Sequence, residues 1–410
     1  MTQHKPLSRR RELWLLFTLA GIQFTHILDF MIMMPLGPQF TALFGISDAQ
    51  FGLLVSAYTL AAGASGLLAS TYIDRFGRKR LLLTLYALFA LATLACGLAP
   101  TYVALMVARV AAGVFGGVLS ALCQTIVGDV IPFERRGRAM GIVMTSFSVS
   151  TVAGVPCGLF LAAHLGWHAP FIAIALLSML LAAFAASTLP TLDDHLQRAR
   201  PSTLSGIAQV LADTNHQKAF VFSALLMFAG FTVIPYITIY MQANVGLRAD
   251  QIPYLYLCGG VVTLFTARVF GRMTDRRGKV RTFRWLAVAA VVPMVTTTLT
   301  EGWPLAAVLV VSTLFFACMS GRMIPGMAII TSAANPQLRG TFMTLNSSVQ
   351  SAGMGVAAFV GGQLIGRDAQ GHVVHYWMAA MVGAVASALA FWLAGRLKLY
   401  GAPTAEQSTV

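Results

Sequence analysis

The stretch Asp74-Arg75-Phe76-Gly77-Arg78-Lys79-Arg80 decides the fold, because it recurs as Asp275-Arg276-Arg277-Gly278-Lys279 roughly 200 residues later. Each copy follows an apolar run that is long enough to cross a lipid bilayer. A basic turn repeated between hydrophobic runs indicates a duplicated membrane unit. Transporters that rock two similar halves around a central site are built in this way.

The composition is that of an integral membrane protein. Of the 410 residues, 57% are hydrophobic and only 10% are charged, and the mean hydropathy is +0.74. The formal net charge of +14 is distributed in short clusters between apolar runs, which argues against a nucleic-acid partner. The five cysteines lie inside apolar segments without the close pairs of a disulfide framework or a zinc site. No metal or cofactor is expected.

The apolar runs predict twelve membrane spans of about 20 residues each. Their approximate bounds are 13–35, 51–71, 81–98, 102–128, 139–163, 169–189, 219–241, 252–271, 285–300, 304–331, 341–365 and 377–397. One long polar connection divides these spans into two sets of six. We therefore expect a six-helix bundle over residues 1–189, a cytoplasmic linker over 190–218 and a second six-helix bundle over 219–410.

The basic residues predict the orientation of the chain. With both termini in the cytoplasm, only Arg248 and Arg367 fall in outer segments, and only Arg109, Arg268 and Arg322 lie within or near spans. Cytoplasmic segments of membrane proteins carry an excess of Lys and Arg. This distribution predicts a multi-pass protein of a bacterial cytoplasmic membrane with both termini inside.

The repeated turns resemble the loop signature of the major facilitator superfamily, and the resemblance covers essentially the whole chain. The signature Gly-x-x-x-Asp-Arg-x-Gly-Arg-Lys matches 70–79 with Ser in place of the leading Gly, and the copy from Gly271 keeps that Gly. The segment 109–113 is similar to the family's Arg-x-x-Gln-Gly without its Gln. The segment 154–158, Gly-Val-Pro-Cys-Gly, resembles a relaxed antiporter signature, as in the drug:proton and sugar-efflux branch.

The resemblance implies an all-α membrane fold, with twelve helices in two pseudo-symmetric six-helix bundles and a substrate cavity between them. In such a fold, Asp74 is expected to lie at the start of the eleventh span and Asp275 at the start of the fifth, each beside a positive helix N-terminus. The alternative is that these basic turns only fix orientation. The predicted gating residues are Asp74, Arg75, Gly77, Arg78, Asp275, Arg276 and Gly278, with Gly154, Pro156 and Gly158 in the fifth span. Ordinary close packing of helices is the alternative for the last three.

Asp29 is the only acidic residue well inside a predicted span. An unpaired charge at that depth costs ~3 kcal/mol, so Asp29 needs a partner or a proton. Arg109 lies at a similar depth in the fourth span, about two turns from the outer surface. Burial favours a neutral carboxyl and a guanidinium favours an ionised one, so a pair that moves is able to load and release a proton. A permanent structural pair is the alternative.

Other polar residues in the spans are candidate proton or substrate ligands. His26, one turn before Asp29, is a candidate proton relay or substrate ligand, or else an ordinary hydrogen-bonding residue. We expect Arg322 to face the cavity and to bind an anionic or polyhydroxylated solute; its alternative is a hydrogen bond to backbone carbonyls inside the bundle. The remaining cavity candidates, each of which packing also explains, are Gln23, Met33, Tyr58, Gln124, Phe147, Tyr236, Tyr240, Asn346 and Gln350.

These patterns predict a monomeric secondary transporter that works by alternating access and is not an enzyme. The leading hypothesis is proton-coupled efflux of a small amphipathic solute, drug-like as in multidrug resistance or sugar-like. A proton-coupled uptake permease of the same fold is the alternative, and a membrane sensor that does not transport is a third hypothesis. The sequence contains no phosphate-binding loop, so an ion gradient is the expected source of energy.

Overall fold

A computed structural model describes residues 9–131, 133–189 and 203–400 of the chain. The described helices are α1 (Arg9–Ile32), α2 (Gly37–Phe44), α3 (Asp48–Tyr72), α4 (Arg78–Gly97), α5 (Tyr102–Val130), α6 (Phe133–Val149), α7 (Val155–Leu165), α8 (His168–Thr188), α9 (Thr203–Ala212), α10 (Thr214–Phe231), α11 (Ile237–Ala243), α12 (Ile252–Arg277), α13 (Lys279–Thr297), α14 (Leu305–Ala333), α15 (Arg339–Leu364) and α16 (Tyr376–Ala394).

Shorter elements join some of these helices. A 3₁₀ turn, Ile73–Arg75, follows α3, a second one, Ile234–Tyr236, joins α10 to α11, and a π turn, Ser150–Gly154, joins α6 to α7. Strands β1 (Gly366–Arg367) and β2 (Val373–Val374) form an antiparallel hairpin between α15 and α16.

The described part of the chain is almost entirely helical, as the sequence predicts for a membrane protein. It contains ten helical segments that are long and apolar enough to cross a membrane. The predicted ninth and eleventh spans are also helical, as α13 and α15, but are not among the ten. The first turns of α13 carry Lys279, Arg281 and Arg284, and α15 carries several Ser, Asn and Gln residues. That these two helices cross the membrane stays a prediction.

Several predicted bounds differ from those of the described helices. The first span was predicted over 13–35, but α1 ends at Ile32 and a turn through Pro35 separates it from α2. Proline removes a backbone donor and disfavours a helical conformation in the preceding residue. Within the segment predicted as a linker, Thr203–Ala212 is helical, and residues 190–202 lie outside the described residues. Helix α10 begins before the predicted residue 219, because the Asp213 carboxylate accepts backbone N–H groups of its first turn.

The long helices run between two faces of the molecule. We call the face with the turn Ile73–Gly77, Gly278 and α9 the basic face, and the face with the β1–β2 hairpin and α2 the hairpin face. We call residues 9–189 the first half and residues 203–400 the second half. Helices α3 and α15 come from different halves and pack against each other along much of their length.

Buried apolar side chains form three clusters, which are arranged differently at the two faces. On the basic side the first half has its own cluster, with Tyr86 and Leu119. The second half has another, with Phe283. On the hairpin side a single cluster, here called the shared cluster, joins residues of both halves, for example Phe51 and Tyr236. The two halves are therefore joined by apolar packing mainly at the hairpin face.

Candidate functional site

The central feature of the first half is an ion pair between Asp29 of α1 and Arg109 of α5. Arg109 Nη1 lies 2.9 Å from Asp29 Oδ2, and both side chains are fully buried. The same nitrogen donates to the backbone carbonyl of Asp29 at 3.3 Å. The two residues that the sequence places at similar depth are thus in direct contact.

The ring of Tyr58, on α3, packs against the guanidinium of this pair. Arg109 Cζ lies 4.1 Å from the centroid of the Tyr58 ring, a geometry in which the ring face attracts the cation. Helices α3 and α5 approach closely because glycines replace side chains between them. A Cβ at Gly113 would overlap the carbonyl of Tyr58, and a Cβ at Gly117 would overlap that of Ala62. The glycine in the segment 109–113 therefore positions Tyr58 under Arg109.

Several polar atoms around the pair have no hydrogen-bond partner among the described residues. They are Asp29 Oδ1, Arg109 Nε and Nη2, the Tyr58 hydroxyl, Gln23 Oε1 and both ring nitrogens of His26. A buried polar atom without a partner costs about 1–3 kcal/mol. A cluster of such atoms has unused capacity to bind a proton, water or a polar group of a solute.

Aromatic contacts connect this cluster to the second half. The His26 ring packs near Tyr58 and Phe89, with centroid distances of 6.2 Å and 5.9 Å. Phe30 stacks on Tyr58 at 5.5 Å and on Phe231 of α10 at 5.9 Å. Phe30 therefore connects Tyr58 to Phe231 of the second half by direct ring contacts.

Arg322 is the buried cation of the second half, and its surroundings differ from those of Arg109. Its Nη1 donates to Ser387 Oγ at 2.8 Å and its Nη2 to the Leu226 carbonyl at 3.2 Å. Within the described residues, no carboxylate lies within ion-pair distance of it. The described contacts place Arg322 between α10 and α16, with the backbone hydrogen bond that the alternative interpretation describes. That Arg322 faces the substrate cavity stays a prediction.

The other predicted cavity residues are dispersed. Gln23 Nε2 donates to Ser120 Oγ at 3.3 Å, and Gln350 Nε2 donates to Ser223 Oγ at 3.1 Å. Tyr236, Tyr240, Met33 and Asn346 are buried, whereas Gln124 and Phe147 are exposed. The Tyr236 hydroxyl donates to the Ala358 carbonyl, and Tyr240 packs on Tyr376. Gln23, Gln350 and Tyr240 therefore contact side chains of their own half, whereas Tyr236 also packs against Phe51 of the first half.

The two repeated turns have similar sequences but different conformations. Gly278 has φ +84°, a value that favours glycine, whereas Gly77 has φ −59° at the start of α4. Arg78 Nη1 donates to the Ile73 carbonyl at 2.9 Å, and Lys79 Nζ donates to the Leu189 carbonyl at 2.6 Å. These cations thus neutralise carbonyl ends of α3 and α8.

The predicted latch residues make few described contacts. Asp275, Arg75 and Arg276 are exposed, and Asp275 has no ion pair or hydrogen bond with any residue that the structure describes. The side chain of Asp74 lies outside the described residues. The roles of both acids as latches stay predictions.

The fifth span is interrupted by a π turn, and two of its predicted gating glycines contact α1. The turn, Ser150–Gly154, ends two residues before Pro156. A Cβ at Gly154 would lie 2.9 Å from Leu28, and a Cβ at Gly158 would lie 2.7 Å from Ile32. The contacts of these two glycines stay within the first half, but a Cβ at Gly260 of α12 would lie 2.9 Å from Val152 in the π turn. The fifth span therefore also packs against the second half, and its role in gating stays a prediction.

Sequence analysis missed an ion pair at the hairpin face. Arg367 Nε and Nη2 each lie 2.9 Å from an oxygen of Asp48. These hydrogen bonds raise the pKa of Arg367 above its ordinary value. Arg367 is one of only two basic residues in the predicted outer segments, so its position was an available signal. Its partner is 319 positions away in the chain, and no local pattern connects them.

Comparisons with known proteins agree on one family. The family model of the Major Facilitator Superfamily matches residues 19–358 and 219–408. "Uncharacterized MFS-type transporter YceJ" of Bacillus subtilis (strain 168) is 24% identical over 366 residues, which cover 86% of this chain and 89% of that protein. "Multidrug resistance protein 2" of the same organism is 22% identical over 367 residues, which cover 88% and 90%.

Solved structures show the same fold at low sequence identity. A D-xylose–proton symporter superposes with a TM-score of 0.76 at 16% identity, covering 93% of this chain and 97% of that chain. A bacterial homologue of the human lysosomal transporter Spinster, in an inward-facing and occupied conformation, superposes with a TM-score of 0.74 at 16% identity, covering 95% and 98%.

Proposed function

This chain belongs to the major facilitator superfamily of transporters, and we propose that it exports a small amphipathic solute, drug-like or sugar-like, in exchange for protons. The observation that carries the proposal is the buried Asp29–Arg109 pair, whose second carboxylate oxygen and remaining guanidinium nitrogens have no partner among the described residues. A pair built only for stability would be expected to satisfy these atoms.

The pair is able to exchange a proton for solute through the charge on Asp29. A proton that binds the free Oδ1 neutralises the carboxylate, which weakens the bond to Arg109 Nη1 and frees the guanidinium over the Tyr58 ring. Solute that binds beside Tyr58 and His26 competes with this state and favours release of the proton. Arg109 then returns to the ionised carboxylate, and the cycle closes with one proton bound and one released.

The proton gradient supplies enough energy for such a cycle. An inward-moving proton yields ~2.3 kcal/mol per 100 mV of membrane potential and ~1.4 kcal/mol per unit of pH difference. These amounts support uphill export from several-fold to hundredfold. The proposal places the basic face in the cytoplasm of a bacterial cell, since the repeated turns there concentrate Arg and Lys.

Export is supported by the fifth-span motif and by the similarity to a protein named for multidrug resistance. The second candidate is proton-coupled uptake, which the similarity in fold to a D-xylose–proton symporter favours. The same carboxylate–guanidinium pair is compatible with export and with uptake, because it determines only when a proton is bound. Transport measured in both vesicle orientations distinguishes the two functions.

The test measures proton release when solutes are added to inverted membrane vesicles that contain a pH-sensitive dye. We expect Asp29→Asn to abolish solute-dependent proton movement while exchange of solute down its own gradient persists, because the amide cannot ionise. Asp250→Asn is the matched control, since Asp250 is an exposed carboxylate that pairs with Arg248 in the connection between α11 and α12. If Asp29→Asn moves as many protons as the wild type, Asp29 is not the coupling site.

A further inference from the structure

The two halves are joined at the hairpin face by the Asp48–Arg367 ion pair. Two parallel hydrogen bonds of 2.9 Å connect the guanidinium to both carboxylate oxygens. Such two-pronged, charge-assisted contacts are among the strongest and most directional in proteins. Asp48 belongs to α3 of the first half, and Arg367 belongs to β1 of the second half. The contact therefore reports directly on whether the halves are together at this face.

Both partners are held in position by their own local structure. Asp48 is the first residue of α3, where Ser47 and Gln50 form a reciprocal capping box and the helix N-terminus favours a negative charge. Arg367 is paired with Val373 in the β1–β2 hairpin. The following turn is fixed by Asp368, whose carboxylate accepts the backbone N–H groups of Gln370 and His372. Little backbone freedom is lost when the pair forms, since each element is already ordered.

The pair lies at the rim of apolar and polar contacts that also join the halves. Phe51 meets Tyr236 edge to face at a centroid distance of 6.3 Å. Ser56 Oγ of α3 donates to the Gly355 carbonyl of α15 at 2.7 Å. Apolar packing has no strict register, whereas a two-pronged ion pair fits in a single position. The ion pair therefore aligns the surfaces that the shared cluster brings together.

The exposure of the pair suits a contact that opens and closes. The Asp48 side chain is 3% exposed, but that of Arg367 is 39% exposed. A fully buried pair is costly to separate because each ion is stranded in a low-dielectric interior. At the rim, each ion regains water as soon as the halves part.

We propose that Asp48 and Arg367 act as a clamp that holds the hairpin face closed and must separate in every transport cycle before that face opens. This inference needs only the alternating access of the family. It is independent of proton coupling and of the direction of transport.

The test measures the distance between the halves at the hairpin face by pulsed electron paramagnetic resonance. Spin labels are placed at Leu98→Cys in the first half and Trp303→Cys in the second, because both side chains are exposed. The five native cysteines are first replaced. We expect Asp48→Asn and Arg367→Gln each to raise the ratio of the long-distance to the short-distance population about 5-fold, the effect of losing a charge-assisted pair at a partly exposed site.

Asp250→Asn and Arg248→Gln are the matched controls. In their ion pair the N–O distance is 2.7 Å, and the side chains of Arg248 and Asp250 are 75% and 56% exposed. Both residues belong to the second half, so these variants remove a charge without affecting a contact between the halves. We expect them to leave the distances unchanged, and the double variant Asp48→Asn/Arg367→Gln to open the face no further than either single variant, because both changes remove the same contact. Where a single variant aggregates, Arg367→Lys keeps the charge, loses the second hydrogen bond and should shift the population partway. Distances in the clamp variants that equal those of the controls, or effects of the single variants that add up in the double variant, overturn the clamp.

Discussion

Helices α5 and α14 occupy equivalent places in the two halves, yet their buried arginines have different environments. Each helix is 29 residues long. Arg109 is the eighth residue of α5, and the eighth residue of α14 is Ser312, a buried residue whose hydroxyl has no described hydrogen-bond partner. Arg322 lies ten residues further along α14, about 15 Å nearer the basic face. Arg109 has a carboxylate partner, whereas Arg322 is held by a hydroxyl and a carbonyl.

The two halves therefore have helices of equal length at this position but different electrostatics. The first half combines an acid, a base and unpartnered polar atoms at one depth, which is what proton exchange requires. The second half retains a cation without a described acid. The proposed proton exchange therefore involves residues of the first half.

The largest effect is expected from Arg109→Met. The substitution strands Asp29 in a fully buried position, and removing one partner of a buried pair costs about 3–5 kcal/mol. The unfolding midpoint in detergent should fall accordingly. The double variant Asp29→Asn/Arg109→Met removes both charges and should recover most of the loss. A single variant as stable as the wild type would show that the pair is not electrostatically coupled.

A smaller effect is expected from Gly113→Ala, compared with Gly321→Ala in α14. A methyl group at Gly113 meets the backbone of Tyr58, which cannot move without separating α3 from α5. At Gly321 the obstacle is the Phe270 ring, which is able to rotate away. We expect a loss of about 1–3 kcal/mol for Gly113→Ala and a smaller loss for Gly321→Ala, measured by thermal unfolding. Equal losses would contradict this difference in packing.

The smallest effect is expected from Arg322→Met. Replacing an uncompensated buried cation with an apolar side chain of similar length is neutral or stabilising when no partner is stranded. Ser387 and the Leu226 carbonyl lie on helices and keep hydrogen-bonding alternatives there. The unfolding midpoint should stay within about 1 kcal/mol of the wild type or rise. A loss like that of Arg109→Met would reveal an acidic partner for Arg322.

The fold was predictable because the length and hydropathy of a segment are enough to identify a membrane helix. The repeated basic turns and the apolar runs gave the duplicated architecture. The breaks inside spans were harder, since Pro35 ends α1 and opens a turn before α2, while Pro293 and Pro325 lie within α13 and α14. Proline weakens a helix locally, and whether the helix ends there depends on neighbouring helices that a sequence does not show.

Contacts in the site could be predicted only where the depth of two residues along their spans is enough to determine that they meet. Asp29 and Arg109 lie at one level on helices that pack together, so their pairing could be anticipated. Depth does not fix rotation about the helix axis, so the sequence did not show that Arg322 contacts Ser387 of α16 and Leu226 of α10. The Asp48–Arg367 contact depends on a hairpin of two-residue strands, a feature too short to leave a pattern.

The shared cluster also has a consequence for how the chain is made. Phe40 and Phe51 leave the ribosome long before Ile239, Phe315 and Tyr376, which belong to the same cluster. Until the later helices are synthesised, this surface of the first half has only lipid, an insertase or a chaperone to cover it. In the nascent chain, the apolar cluster of the first half at the basic side is therefore already packed, whereas the hairpin side still lacks its partners. Truncated chains should be degraded most readily from the hairpin side.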